Sequence, residues 1–170
     1  MSMTLEDFQD RSEFGRYLTE SGRTGTGVEV GVFRGEFSNH ILRSWNGNLI
    51  GVDSYNNGTD FHLLWDSIRN KMDYVMDSRY KILVCQSHVA ANYVQDDLGF
   101  VYIDADHSHA AVSQDIAMWY PKIRAGGLLC GHDYDLEGTG VKQAVDEFLS
   151  QNLNLKMFKK KCRSWFIEKL

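Results

Sequence analysis

The sequence predicts an α/β fold in which a mostly parallel sheet carries helices on both faces. Five short apolar runs of strand length alternate along the chain with segments whose apolar residues have helical spacing. An acidic or strongly polar residue follows or ends each of these five runs. Two further short runs near the end of the chain are separated by about five residues, too few for a crossover helix, and therefore predict an antiparallel hairpin.

The bulk properties of the chain are those of an ordinary globular domain. It has 170 residues, of which 43% are hydrophobic and 24% charged, so we expect one domain spanning residues 1–170. The formal net charge of −5 gives no general attraction for nucleic acid. The N-terminus is neither basic nor apolar, no apolar run is long enough to span a membrane, and the three cysteines are widely spaced. We expect a cytoplasmic protein without nucleic-acid or membrane partners.

The elements can be assigned in order from apolar spacing and turn residues. An N-terminal region of residues 1–22 contains a predicted helix at 4–20, and the core occupies residues 27–168. Strands are predicted at 27–31, 49–53, 80–85, 100–104 and 128–131, with the closing hairpin at 155–158 and 164–167. Helices are predicted after Gly35, over 60–77, after Ser87, after Ser108 and after Gly140. Ser87 and Ser108 are expected to cap their helices, and a turn is expected at 126–127.

The stretch GVEVGVFRG at residues 27–35 reads as a buried strand, a turn with two glycines, and the start of a helix. Gly31 and Gly35 allow the backbone to approach a ligand closely, and the helix N-terminus offers unpaired N–H groups. The turn is not the G-x-G-x-x-G fingerprint, because Glu29 stands near the first glycine position and Phe33 fills the middle. A pyrophosphate would be crowded there, which favours S-adenosylmethionine over NAD.

Ligands of an open parallel sheet bind beyond the carboxyl ends of its strands, so polar residues at these ends are the candidate site. They are Glu29, Asp53, Ser54, Gln86, Ser87, Asp104, Asp106, His107, His132 and Asp133. Clustered carboxylates repel one another unless a cation or hydrogen bonds offset the repulsion, which indicates a functional site. Asp53, 22 residues after Gly31, is placed to accept from ribose hydroxyls, with helix capping as the alternative. Glu29 is a candidate acceptor for the methionyl ammonium group, and Ser87 for adenine.

The string EVGVFRGEFS at residues 29–38 resembles the first motif of class I S-adenosylmethionine-dependent methyltransferases. Residues 103–108, 120–127 and 131–134 resemble the small metal-dependent O-methyltransferases, a group that includes macrocin and other sugar O-methyltransferases. The resemblance covers residues 27–168. It implies a Rossmann-like methyltransferase fold with a seven-stranded sheet in the order 3-2-1-4-5-7-6, the last strand being antiparallel. It also implies a cofactor site formed by Glu29, Gly31, Gly35, Asp53, Ser54, Ser87 and Asp104.

The resemblance further implies catalytic and metal-binding roles. Asp104, His132 and Asp133 match the ligands of a divalent metal, and Asp106 matches the general base, with His107 as a second candidate for that role. His132 stands where better-known metal enzymes have a carboxylate, and imidazole suits transition metals better than Mg²⁺. The site is therefore open to Mn²⁺, Fe²⁺ or Zn²⁺, to Mg²⁺ on the two aspartates alone, or to no metal.

The expected activity is methyl transfer from S-adenosylmethionine to a hydroxyl group of a small molecule. Two alternatives remain at this point: an NAD(P)-dependent oxidoreductase on a similar sheet, and a cofactor-binding module that acts only with a partner protein. Sugars, catechol-like phenols and other hydroxyl compounds are all open as acceptors, as is N-methylation. A homodimer is compatible with the sequence.

Overall fold

The computed structural model describes residues 3–5, 7, 10–55, 62, 78–159 and 162–170. The strands are β1 (Thr26–Val30), β2 (Asn48–Asp53), β3 (Tyr80–Val84), β4 (Leu98–Ile103), β5 (Ile123–Gly131), β6 (Met157–Lys159) and β7 (Trp165–Glu168). The α-helices are α1 (Phe14–Glu20), α2 (Glu36–Ser44), α3 (Ser87–Ala90), α4 (His109–Trp119) and α5 (Val141–Ser150). Short 3-10 helices precede α1 at Arg11–Glu13 and follow α4 at Tyr120–Lys122.

The strands form one seven-stranded sheet in the order β3-β2-β1-β4-β5-β7-β6. Neighbouring strands from β3 through β5 pair in parallel, whereas β7 is antiparallel to both β5 and β6. The predicted strand order and the predicted closing hairpin are both confirmed. The direction of winding changes between β1 and β4, and a crevice at such a switch point is the usual ligand site of an open α/β sheet.

Helices cover both faces of the sheet, as predicted. On one face, α1 and α2 bury Phe14 and Phe37 against Phe100 and Tyr102. On the other face, α4 and α5 pack with α3 over a second apolar cluster that includes Val101. Every residue of β4 is buried, as expected for a central strand covered on both sides. The two layers hold the carboxyl ends of β1 and β4 rigidly side by side.

The N-terminal helix is shorter than the predicted span of 4–20, because residues 4, 5, 7 and 10 are not helical. The helical region begins at Arg11, where Asp10 and Glu13 form a capping box. The Asp10 side chain accepts from the backbone of Ser12, and the Glu13 side chain accepts from the backbone of Asp10. A capping box satisfies donors that only a helix start leaves unpaired, and it therefore sets the boundary.

Three other local predictions have mixed outcomes. The fifth strand begins at Ile123 rather than at Leu128, because the turn expected at 126–127 does not interrupt it. The pairing of β5 with β4 instead shifts its register between Leu98 and Phe100. Ser108 caps α4 as predicted, but the N-cap of α3 is Gln86, and the Ser87 hydroxyl instead accepts from the Trp119 indole. The predicted helix at 60–77 falls outside the described residues except for His62, which is helical.

Within the described part of the chain, no helix is both long and apolar enough to cross a membrane.

The packing of β1 against β4 requires a glycine at position 27. A Cβ atom there would lie 2.1 Å from Cε1 of Phe100. The Phe100 ring is fully buried, 5.1 Å from the Phe14 ring and 5.2 Å from the Trp45 ring between centroids, so it has no space to withdraw. We expect Gly27→Ala to lower the free energy of unfolding by about 1–3 kcal/mol in urea denaturation. The loss should shrink in a Phe100→Leu background, and an equal loss in both backgrounds would contradict the clash.

Candidate functional site

Two adjoining cavities lie at the carboxyl ends of the parallel strands. The first, called here the Asp53 cavity, has a volume of about 280 Å³ and is bordered by the ends of β1 and β2 and by α3 and α4. The second, the Glu29 cavity, has a volume of about 230 Å³ and lies between the turn after β1, Asp104 and Arg11. Gly31 and Ala105 line both cavities. The two cavities therefore form one elongated crevice at the switch point of the sheet.

The turn after β1 brings the backbone of two strand ends unusually close together. Gly31 has φ +93°, and a Cβ atom at this position would lie 2.1 Å from the Asp104 carbonyl oxygen. Phe33 and Gly35 also have positive φ, at 50° and 71°. These conformations make the turn tight, as expected from its two glycines. The close approach places the Asp53 cavity directly beside the Glu29 cavity.

Asp53 holds this turn in place through both carboxylate oxygens. Its Oδ2 accepts the backbone N–H groups of Val32 and Phe33, each at 2.9 Å, and its Oδ1 accepts that of Tyr55 at 3.0 Å. The Tyr55 hydroxyl in turn donates to the Phe33 carbonyl at 3.1 Å. Asp53 and Ser54, which the sequence analysis assigned to the cofactor site, both line the Asp53 cavity. The role of Asp53 in fixing the turn was not predicted.

Glu29 is buried at the inner end of the Glu29 cavity, with only 1% of its surface exposed. It accepts a hydrogen bond from Ser38, whose Oγ lies 2.8 Å from the Tyr80 hydroxyl. Burial raises the pKa of Glu29 to about 8, because desolvation penalises its charged form more than the Ser38 hydroxyl stabilises it. The carboxyl group is therefore largely protonated at neutral pH and would ionise when a cation approaches it.

Asp104 makes an ion pair with Arg11, a residue that the sequence analysis did not single out. Arg11 Nη1 lies 2.7 Å from Asp104 Oδ2, and the guanidinium carbon lies 5.2 Å from the centre of the Phe37 ring. The 3-10 helix carries Arg11 across the end of the sheet to this position. The two residues are 93 positions apart in the chain, so no local pattern connects them. The sequence pattern that could have helped to place Arg11 is the capping box of Asp10 and Glu13, because it determines where the helical region that carries Arg11 begins.

His107 lies between two carboxylates. Its Nε2 is 3.5 Å from Asp104 Oδ1 and 3.4 Å from Asp133 Oδ2. This nitrogen is buried and has no hydrogen-bond partner among the described residues. One ligand atom from each of these three side chains lies within 4.8 Å of the other two. An imidazole nitrogen without a partner beside two carboxylate oxygens is a donor set that fits a divalent transition metal.

His132 does not join this group, although the sequence placed it among the metal ligands. Its Nδ1 lies 3.1 Å from Asp133 Oδ1, so it contacts only one of the two aspartates in the group. Neighbouring residues at a strand end project in different directions, and Asp133 adopts φ 57° as the chain leaves β5. His107 from the loop after β4 occupies the third position instead, and Asp104 and Asp133 lie together as expected.

Asp106 and Ser87 line the Asp53 cavity rather than the Glu29 cavity. Asp106 is exposed and accepts from the backbone N–H of Ser108 at 2.8 Å, and this hydrogen bond lowers its pKa.

The Ser87 hydroxyl accepts from Trp119 Nε1 at 2.7 Å and also stabilises the charge of Asp115. Asp115 is 5% exposed, and burial raises its pKa. This second buried acid of the crevice lies within α4, where the sequence indicated only an apolar helix face.

The strand order and the glycine turn after β1 are those of the Rossmann-like fold of class I methyltransferases. The chain belongs to the family of methyltransferase domains, whose family model matches residues 28–134. The match runs from β1, through the turn and the residues after β4, to Tyr134 after β5. It therefore contains every residue assigned above to the crevice except Arg11. No curated protein matches the sequence.

Solved structures share this fold at low sequence identity. The O-methyltransferase NovP is 19% identical with a TM-score of 0.70, over 97% of this chain and 78% of NovP. TomG from Streptomyces achromogenes, an O-methyltransferase of tomaymycin synthesis in complex with S-adenosylmethionine, is 10% identical with a TM-score of 0.69, over 94% and 80% of the two chains. An O-methyltransferase from Bacillus cereus, in complex with S-adenosylhomocysteine, is 11% identical with a TM-score of 0.68 over the same shares.

The raised pKa of Glu29 has a consequence for stability. A carboxyl group whose pKa is higher in the folded state stabilises the fold fully below its unfolded pKa, and loses that contribution as the pH rises through its folded pKa. We therefore expect wild type to lose stability relative to Glu29→Gln between about pH 4.5 and pH 8, by on the order of a few kcal/mol. Urea denaturation at pH 5, 7 and 9 measures this difference, with Glu20→Gln on the exposed end of α1 as the control. A difference between wild type and Glu29→Gln that does not change with pH would contradict the assignment.

Proposed function

We propose that this protein is an S-adenosylmethionine-dependent methyltransferase that transfers the methyl group to a hydroxyl of a small molecule. The observation that carries the proposal is the buried, cavity-facing Glu29 beside a glycine turn whose N–H groups are already engaged by Asp53. Membership of the methyltransferase family supports the reaction type. The O-methyltransferases among the solved structures with this fold support oxygen as the methylated atom.

The turn after β1 favours a nucleoside without a pyrophosphate. A dinucleotide site binds pyrophosphate through free backbone N–H groups at a turn of this kind. Here the N–H groups of Val32 and Phe33 both donate to Asp53, so they are not available to a phosphate. Asp53 keeps a lone pair on Oδ1 for a ribose hydroxyl, since a carboxylate can accept about four hydrogen bonds and the turn uses three of them. This arrangement disfavours NAD(P), the cofactor of the alternative oxidoreductase.

The cofactor fits the crevice with its two ends in different cavities. The Asp53 cavity would hold the adenosine, with Ser54, Ser87 and Asp115 along its wall. The amino-acid end would extend past Gly31 into the Glu29 cavity, where Glu29 would accept hydrogen bonds from the ammonium group. Gly31 and Ala105 are common to both cavities, so the sulfonium centre would lie near them. This position is next to Asp104, Asp106 and His107.

Asp104, His107 and Asp133 would hold a divalent metal, and Asp106 would take the proton of the acceptor hydroxyl. A metal bound there supplies Lewis acidity that lowers the pKa of the hydroxyl. Asp106 is exposed at the wall of the crevice, and its hydrogen bond from Ser108 fixes the orientation of its carboxylate. Without a metal, His107 is the alternative base, because its buried Nε2 makes no hydrogen bond among the described residues and lies 3.4–3.5 Å from two carboxylates that would stabilise the imidazolium.

Cofactor binding should release a proton from Glu29. With a pKa of about 8, Glu29 is mostly protonated at pH 7, and the ammonium group of the ligand favours the ionised form. We expect binding of S-adenosylhomocysteine at pH 7 to release roughly 0.5–1 proton, and the release to fall toward zero above pH 9. Calorimetric titrations in buffers of different ionisation enthalpy measure this number. Glu29→Gln should abolish the release.

The same titrations with NAD separate the proposal from the oxidoreductase. We expect micromolar binding of S-adenosylhomocysteine and no detectable binding of NAD. Binding of NAD with no binding of S-adenosylhomocysteine would overturn the proposed function. Binding of S-adenosylhomocysteine without proton release would agree with the proposed cofactor but would contradict the assignment of Glu29 as the acceptor for its ammonium group.

The candidate metal group can be tested independently of activity. We expect Co²⁺ to bind wild type with the visible absorption of a site containing nitrogen and oxygen ligands. His107→Ala should weaken this binding by at least about tenfold, whereas His132→Ala should leave it close to wild type. Loss of Co²⁺ binding in His132→Ala but not in His107→Ala would show that His132 is the ligand, as the sequence suggested. Absence of Co²⁺ and Mn²⁺ binding by wild type would argue for the metal-free mechanism.

A further inference from the structure

The Glu29 cavity contains a positively charged side chain in addition to its acids. Arg11 lines the cavity together with Glu29 and Asp104. We propose that Arg11 binds the α-carboxylate of the methionyl end of S-adenosylmethionine, opposite the α-ammonium group held by Glu29. This inference rests on the proposed function and adds to it a residue that determines which cofactor analogues the site accepts.

The chemistry of the ligand favours such a pair. The ammonium and carboxylate groups of an amino acid are bonded to the same carbon, so a cation close to the acid that binds the first is well placed to bind the second. Arg11 and Glu29 line the same cavity of about 230 Å³ and are near enough for the charge of each to influence the other. The cavity thus offers an acid for the ammonium group and a cation for the carboxylate group of an amino acid.

Arg11 is held in an orientation that leaves guanidinium donors without a partner among the residues that the structure describes. A guanidinium group carries five N–H donors, and the hydrogen bond to Asp104 comes from Nη1. The Phe37 ring supports the guanidinium face at 5.2 Å, and 36% of the side chain is exposed. The remaining donors can form a two-point contact with a carboxylate, which is the geometry that arginine favours.

The other arginine of the cavity is less suited to this role. Arg34 is exposed, and its guanidinium carbon lies 5.0 Å from the centre of the exposed Phe33 ring. It has no buried carboxylate to orient it among its contacts within the described residues. Arg11, in contrast, is fixed by Asp104 and Phe37 before a ligand arrives, so little conformational entropy is lost on binding.

A purely structural role for Arg11 is the competing interpretation. The ion pair with Asp104 also attaches the 3-10 helix Arg11–Glu13 to the end of the sheet. Loss of this attachment would disturb the whole crevice and weaken every ligand, whereas loss of a carboxylate contact would weaken only ligands that carry the carboxylate. Cofactor analogues therefore distinguish the two roles.

The experiment measures the dissociation constants of three ligands by calorimetry in metal-free buffer. The ligands are S-adenosylmethionine, its decarboxylated analogue, which keeps the ammonium group, and 5′-methylthioadenosine, which lacks the whole amino-acid end. The variant is Arg11→Met, which keeps the length and apolar contact of the side chain. The control is Arg16→Met, which removes an exposed arginine of α1 that pairs with Glu20 at 2.7 Å.

We expect Arg11→Met to weaken S-adenosylmethionine by roughly 10- to 100-fold, the range for a lost charge-assisted contact, and to change the other two ligands by less than about threefold. The preference of wild type for S-adenosylmethionine over its decarboxylated analogue should therefore nearly disappear. Arg16→Met should keep that preference.

Two results would overturn the inference. Equal weakening of all three ligands by Arg11→Met would assign Arg11 to the structure of the crevice alone. An unchanged preference for the carboxylate in Arg11→Met would place the carboxylate against another group. Failure of wild type to bind any of the three ligands is a distinct result, and it would overturn the proposed function itself.

Discussion

The hydrogen bonds from the backbone of Val32 and Phe33 to the Asp53 carboxylate determine the shape of the crevice. They hold the turn after β1 in the conformation that presses Gly31 against the carbonyl of Asp104. They also engage the backbone donors that a dinucleotide site uses for pyrophosphate. One side chain at the end of β2 therefore both fixes the turn that lies between the two cavities and disfavours a pyrophosphate-containing cofactor.

Glu29 is a buried acid to which the proposed function gives a binding role. Its position in β1, where every residue after Thr26 is buried, removes it from water, and Ser38 gives it a hydrogen bond but no positive charge. The carboxyl group therefore stays mostly neutral until a cationic group enters the cavity. Arg11 and Asp104 neutralise each other across the same cavity. The site is thus nearly balanced in charge before the ligand binds, which suits a ligand end that carries one positive and one negative charge.

Local patterns carried most of the fold prediction, whereas the site depends on contacts that local patterns do not encode. The alternation of apolar runs and the short final connection were enough to predict the parallel strands and the closing hairpin. The Ser108 cap was also predictable, because its signal lies within four residues. The prediction that Ser87 caps its helix was wrong, because the Ser87 hydroxyl accepts from Trp119, 32 residues away. His107, rather than His132, lies between Asp104 and Asp133 because the direction of a side chain at a strand end depends on the backbone of the following loop. Arg11 reaches the site through the packing of the N-terminal helical region, which no local pattern encodes.

A crystal structure of the protein with S-adenosylhomocysteine tests the central claim most directly. We expect a ribose hydroxyl within hydrogen-bond distance of Asp53, the adenine beside Ser87 and Asp115, and the ammonium group against Glu29 in the Glu29 cavity. The Val32 and Phe33 N–H groups should remain bonded to Asp53. A ligand bound outside the two cavities, or one whose amino-acid end points away from Glu29, would contradict this mode of binding.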